Sequence, residues 1–238
     1  MPLHKFLFKA EATALRGAIR KPYYQDLGKH AVVSTHAGSG GTLTAAVQRK
    51  NGGNGEPGFA IGKDIFYSHA WSQITAEERD ETYITVAETT IRDLSIGGRL
   101  MVRKVVCRLQ SRYSAAEYEK RKVSRISPRG STIEGLFVDK AAVQFQLPHA
   151  FTMSKAEEES FFKGRYDDDS ESKYHPGFFG PSFHKDGFGT LYFGEWSWVH
   201  PDERERQHLT MLRMSLGSDF GLEADCCEAY EDGSGWPR

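Results

Sequence analysis

The stretch TIRDLSIGGRLMVRKVVCRL, residues 90–109, turns at Gly97 and Gly98 and then runs on with apolar residues recurring at every second position. Paired glycines between such runs mark a β-hairpin, because glycine enters the left-handed backbone a tight turn requires. A second hairpin echoes it. TIEGLFVDKAAVQFQL, residues 132–147, repeats Thr-Ile-x-x-Leu-x-(Ile or Val) and turns near Asp139 and Lys140. The alternation extends outward. Ile65, Tyr67, His69 and Trp71 alternate with Phe66, Ser68 and Ala70, and Val143, Phe145 and Leu147 alternate with Gln144 and Gln146. Strict alternation is the strand period.

A third hairpin joins GTLYFGEWSWVH to HLTMLRMSLG across a polar loop at residues 201–207. Regular alternation assigns Tyr192, Trp196, Trp198 and His200 to one face, with Leu191, Phe193 and Val199 on the other. Helix is confined to connections. Ser114 with Glu117, and Ser154 with Glu157, have the spacing of a capping box, in which each side chain satisfies the other's backbone amide. The second of these helices should stop near Gly164. Loops are expected at residues 48–58, 124–130 and 166–189. The segment HAVVSTHAGSGGTLTAAV, residues 30–47, reads as a hairpin at a sheet edge. The fold expected is all-β: an antiparallel sandwich or irregular barrel of about ten strands with two short connecting helices, one domain over residues 1–238.

The bulk numbers agree with a folded water-facing chain. Of 238 residues, 39% are hydrophobic and 26% charged, and Lys+Arg 31 nearly balance Asp+Glu 32. A chain this long buries roughly 70% of its unfolded surface, enough to fold without disulfide or metal. The balanced charge supplies no global field toward nucleic acid or membrane. Cys107, Cys226 and Cys227 are too few for a disulfide framework, which points to a reducing compartment. Charges at Lys5, Lys9, Glu11 and Arg16 interrupt every apolar run near the start. No signal-peptide core and no apolar membrane span is expected, and the chain reads as cytoplasmic.

Two regions carry candidate chemistry. In the loop at residues 167–186, Asp167, Asp168, Asp169 and Glu171 precede His175, His184 and Asp186. Oxygen ligands on a flexible loop suit a hard divalent cation, and His with Asp suits zinc or iron. The metal set would be Asp167, Asp169, Glu171, His175 and His184, serving a metal-dependent enzyme or a metal-stabilised binding domain. The spacing matches neither an EF-hand nor a zincin motif, so the competing reading is a solvated acidic loop. The second region is the aromatic face of Tyr192, Trp196, Trp198 and His200, extended by Phe178 and Phe179. It offers stacking against sugar rings or bases, or a protein interface; filling of the sandwich core is the competing reading.

Charge is segregated locally. Residues 99–130 hold ten basic side chains against Glu117 and Glu119, while residues 219–238 are acidic. The basic stripe could grip phosphates. Internal pairing or contact between copies of the chain is the reading preferred, since no nucleic-acid signature accompanies the stripe. No GxSxG elbow, phosphate loop or dinucleotide fingerprint is present, and Cys226 and Cys227 sit among carboxylates that disfavour a thiolate.

The Thr90–Leu100 hairpin together with GSTIEGLFVDKAAVQFQLP, residues 130–148, resembles β-rich bacterial proteins of the choice-of-anchor P type. The Gly189–Glu195 strand followed by HLTMLRMSLGS is similar to that group's final hairpin. The resemblance runs from about Ile84 to the C-terminus. The chain departs from it in lacking an export signal and in having Lys140 where a turn glycine would be expected. It implies β architecture and no particular activity. The functional expectation is a non-enzymatic binding or self-assembly protein whose partner is a copy of itself or another protein.

Overall fold

A computed structural model describes residues 7–21, 24–38, 43–50, 59–61, 64–114, 125–166, 180–199, 206–217 and 221–232. In chain order these form β1 (Leu7–Ile19), β2 (Gln25–His30), β3 (Val33–Gly38), β4 (Leu43–Lys50), β5 (Phe59–Ile61), β6 (Ile65–Tyr67), β7 (His69–Arg79), β8 (Thr82–Ile96), β9 (Leu100–Ser114), β10 (Arg125–Ser127), β11 (Thr132–Val138), β12 (Ala141–Ala142), α1 (His149–Thr152), α2 (Lys155–Tyr166), β13 (Ser182–Lys185), β14 (Gly189–Val199), β15 (Arg206–Leu216) and β16 (Leu222–Asp232).

Two antiparallel sheets result, and neither closes into a barrel. Sheet I runs β13–β14–β15–β16–β1, with β2 and β3 sharing the far side of β1. Sheet II runs β12–β11–β9–β8; β10 shares β9 with β11, and β7 and β6 share the far side of β8. β4 and β5 complete it on β7 and β6. The segment expected to be an edge hairpin is split between the sheets instead. β3 pairs with β1 while β4 pairs with β7, so this stretch crosses from one sheet edge to the other.

The sheets stack face to face, with β1, β15 and β16 over β7, β8 and β9. The small buried side chains Ala10, Ala12 and Ala14 of β1 meet a larger set on sheet II, including Ile74, Ile91, Val105 and Leu109. The thiols join the layers: Cys227 Sγ reaches the Val105 carbonyl at 3.5 Å, and Cys107 Sγ the Leu209 carbonyl at 3.8 Å. All three cysteines are free and buried, and burial pushes the Cys107 and Cys226 thiols well up from their ordinary value. Burial, more than the neighbouring carboxylates read from the sequence, keeps Cys107 and Cys226 protonated.

The turns follow the expected chemistry. β8 and β9 join through Gly97 and Gly98, both at positive φ. β11 and β12 join through Asp139 (φ 49) and Lys140 (φ 67), a two-residue turn with both residues left-handed. That turn is clamped: Asp139 accepts from Arg99 Nε at 2.7 Å and Lys185 Nζ at 2.6 Å, which holds its carboxyl far below the usual range. Exposed Lys140 carries the left-handed strain without a comparable tether among the described contacts. Lys140→Gly is therefore expected to raise the unfolding free energy by about 1 kcal/mol, seen as a higher urea midpoint at constant slope. A lower midpoint would show that the lysine contributes more than its backbone strain costs.

The capping box at Ser154 forms as expected. The Ser154 amide donates to Glu157 Oε2 at 2.6 Å, and the Glu157 amide donates to Ser154 Oγ at 3.3 Å, opening α2, which continues to Tyr166. The capping box at Ser114 falls mostly on residues 115–124, outside the described ones.

A feature absent from simple alternation shapes both sheets. In β8, Thr85, Ala87, Thr89 and Ile91 are buried, Arg92 and Asp93 are both exposed, and Leu94 and Ile96 are buried again. The core face has moved by one residue. Asp93 has φ 52, and the same break crosses β9 between Val102 and Val105 and β11 at Gly135 (φ 63). Pairing resumes in the same register beyond it, with Arg92 opposite Lys104 and Leu94 opposite Val102, so no residue is inserted as in a bulge. Sheet I has its own crease at Gly194 (φ 63), Met211–Leu212, Cys227 (φ 56) and Ala14–Leu15, again without change of register. The repeated Thr-Ile-x-x-Leu pattern reflects this geometry, since Asp93 and Gly135 occupy its fourth position.

Candidate functional site

The outer face of sheet I is polar because the side chains alternating with the core residues are charged or hydroxylated. Strand pairing lines them up in rows. One row runs Ser182, Tyr192, Arg213, Asp225, Arg16, Lys29 across β13, β14, β15, β16, β1 and β2. On one side lies Thr190, Ser215, Glu223 and Ala18, and across the crease lies Glu195, Thr210, Glu228 and Thr13.

These side chains form one ion-pair network. Arg213 places Nη1 2.8 Å from Glu195 Oε2 and donates through Nε to Asp225 Oδ1 at 2.9 Å. Arg16 reaches Asp225 Oδ2 at 3.4 Å with Nη2, and its Nε lies 2.5 Å from Glu228 Oε2. Neither Glu195 Oε2 nor Glu228 Oε2 receives a well-directed hydrogen bond, so these two contacts are charge pairing more than hydrogen bonding. Glu228 is buried, and its other oxygen lies 2.9 Å from His208 Nε2, with Thr210 Oγ1 at 3.5 Å. The His208 ring stacks on Tyr230, centroids 4.2 Å apart.

The electrostatics follow from burial and sign. Burial lifts the Glu195 carboxyl above its ordinary value, against the opposing pull of Arg213. Burial alone would lower Arg16 and Arg213, but the carboxylates around them outweigh it and both are raised. Tyr230 is raised by burial and then by the Glu228 charge.

Over one end of this network lies a groove of about 790 Å³. Tyr192, Glu195, Arg213, Glu223 and Asp225 line it with the hydroxyls of Ser182 and Ser215, and Gly180 forms part of the wall. A Cβ at Gly180 would stand 1.4 Å from the Phe193 carbonyl oxygen, so the chain there is pressed directly onto β14. The volume lies within the ~300–1,000 Å³ typical of small-molecule sites.

The residues singled out from the sequence fare unevenly. Tyr192 lines the groove, half-buried. Trp196 is 2% exposed, in the core with Leu191 and Phe193, because Gly194 shifts the alternation between them. Trp196 and Tyr192 thus do not share a face. Trp198 belongs to β14 by its backbone, opposite Gln207, while its side chain, like His200, Phe178 and Phe179, lies outside the described residues. Of the metal candidates, Asp167, Asp169, Glu171 and His175 also lie outside them. His184 is exposed, 2.9 Å from Thr190 Oγ1 and 3.3 Å from Asp186 Oδ1. Among the described residues no three His, Cys, Asp or Glu side chains are grouped to hold a metal ion.

The segregated charges find partners within the chain. From the basic stripe, Arg99 pairs with Asp139, Lys104 with Glu134, Arg112 with Glu159 and Arg129 with Glu158. From the acidic C-terminal segment, Glu223 pairs with Arg20, Asp225 with Arg16 and Arg213, and Glu228 with Arg16. Among the described residues no helix is long and apolar enough to cross a membrane.

A family model, Domain of unknown function (DUF8256), matches residues 6–175. The chain belongs to the DUF8256 family. The DUF8256 match takes in β1 to β12 with both helices, and β13 to β16, which carry most of the groove, follow it. No curated protein and no solved structure matches the chain.

Proposed function

We propose that this chain is a non-catalytic binding protein that takes a polar ligand in the groove on the outer face of sheet I. The observation that carries the reading is the groove itself, a concavity of about 790 Å³ whose floor is a row of interlocked charged side chains beside one tyrosine. Rigid strands hold that row, and each charge is positioned by its neighbour, so little ordering is left for a ligand to impose. Ligand binding is favoured over self-assembly through an aromatic face, because Trp196 is committed to the core.

The test is a thermal-shift screen of polar small molecules on the whole chain and on Ser215→Trp, which puts a bulky ring into the groove from an exposed position. A true ligand at about a hundredfold over its Kd should stabilise the wild type by about 2.7 kcal/mol and leave the variant unmoved. Mass spectrometry should recover that ligand unchanged. Equal shifts in both proteins would place binding elsewhere, and turnover of the ligand would replace the non-catalytic reading with an enzymatic one.

A further inference from the structure

We infer that the ligand class of this groove is a neutral saccharide, an inference that rests on the binding reading above. Charge comes first. Glu195 and Asp225 bracket the Arg213 guanidinium, and Glu223 is matched by Arg20 at 2.6 Å. An anion entering the groove meets three carboxylates, and a cation meets the Arg213 guanidinium, with those of Arg16 and Arg20 paired just beyond it. Each therefore faces a like charge.

A neutral polyol has no such conflict. Each carboxylate oxygen keeps a second lone pair after accepting one guanidinium N–H, and a hydroxyl can both donate to it and accept from arginine. Carboxylate and guanidinium are planar forks, and vicinal hydroxyls of a sugar ring match two prongs of one fork at once. The row Ser182, Tyr192, Arg213, Asp225 alternates hydroxyl, ring, donor fork and acceptor fork along adjacent strands, with Ser215 beside it. Among the described residues lining the groove Tyr192 is the one aromatic ring, and such a ring suits the apolar C–H face of a pyranose. The elongated lining, spread over β13 to β16 and reaching Ala18 of β1, suits a short oligosaccharide laid across the strands.

The deciding experiment titrates the ¹⁵N-labelled full chain, and Tyr192→Ala beside it, with neutral gluco-, manno-, xylo- and N-acetylchito-oligosaccharides. Inorganic phosphate, oligogalacturonate and spermidine serve as charged comparators. A neutral oligosaccharide is expected to shift the amides around Tyr192, Arg213, Ser215 and Asp225, and Tyr192→Ala to weaken it about tenfold or more. Tyr192→Phe should retain most of the affinity. If only a charged comparator shifts those amides, the saccharide assignment falls while the groove remains a binding site. If no probe shifts them and the Ser215→Trp screen also finds no groove ligand, both readings fall together.

Discussion

Glu228→Ala is expected to lower the unfolding free energy by about 3–5 kcal/mol, a large part of the stability of a typical domain. Glu228 is 1% exposed and sits between Arg16 Nε at 2.5 Å and His208 Nε2 at 2.9 Å. Removing it leaves the Arg16 guanidinium short of its nearest counter-charge and takes from His208 and Thr210 the carboxylate they share, leaving them paired with each other at 3.1 Å. The site is also structural: β16 lies between β15 and β1, so the network ties three neighbouring strands across the middle of sheet I. Glu228→Gln keeps the shape and one acceptor oxygen, and should cost less, about 1.5–3 kcal/mol. A double-mutant cycle with Arg16→Ala separates the pair from the rest. Coupling of about 1 kcal/mol or more is expected from urea denaturation, and strict additivity would mean that Arg16 is a bystander.

That network was poorly legible in the sequence for a physical reason. Its members are Arg16, Glu195, His208, Arg213, Asp225 and Glu228, and Arg16 joins the other five only because β1 pairs with β16 from the opposite end of the chain. Neither strand announces itself. The inward positions of β1 include Ala10, Ala12 and Ala14, and alanine is a weak strand former. β16 reads LEADCCEAYED, whose acidity suggests an exposed tail more than a strand with a partner on each side. Its Glu223 and Asp225 do alternate with Leu222, Ala224 and Cys226, which was the available signal. By contrast, the hairpins at Gly97–Gly98 and Asp139–Lys140 and the cap at Ser154 were readable, because turns and caps are decided by residues close in sequence. Metal and aromatic candidates at residues 167–179 lie outside the described segments, and Tyr192 is the groove residue that the aromatic pattern of the sequence marks.

The creases were legible in principle. Apolar residues three apart, as in Ile91 and Leu94, Val102 and Val105, or Phe193 and Trp196, break the period of two and mark where the core face changes. Gly194 is where this matters most for the site, since it sends Trp196 inward and leaves Tyr192 and Glu195 on the outer face. Gly194→Val is expected to destabilise by about 3 kcal/mol or more. Two costs combine: a left-handed β-branched residue forfeits about 1–2 kcal/mol, and crowding of a packed core adds about 1–3 kcal/mol. A Cβ there would stand 3.1 Å from Phe151 Cζ and 3.2 Å from Leu147 Cδ2, and Phe151 is buried with little room to retreat. Gly187 provides the control. Its φ of +67 nearly equals the +63 of Gly194, yet a Cβ at Gly187 meets nothing within 4 Å. Gly187→Ala therefore reports backbone strain alone, and the excess cost of Gly194→Ala over it reports contact with Phe151 and Leu147. Equal losses would reduce the crease to a matter of φ. A larger loss at Gly194, with tryptophan fluorescence moving toward that of a solvated indole, would show that the same glycine sets both the core packing of Trp196 and the shape of the groove above it.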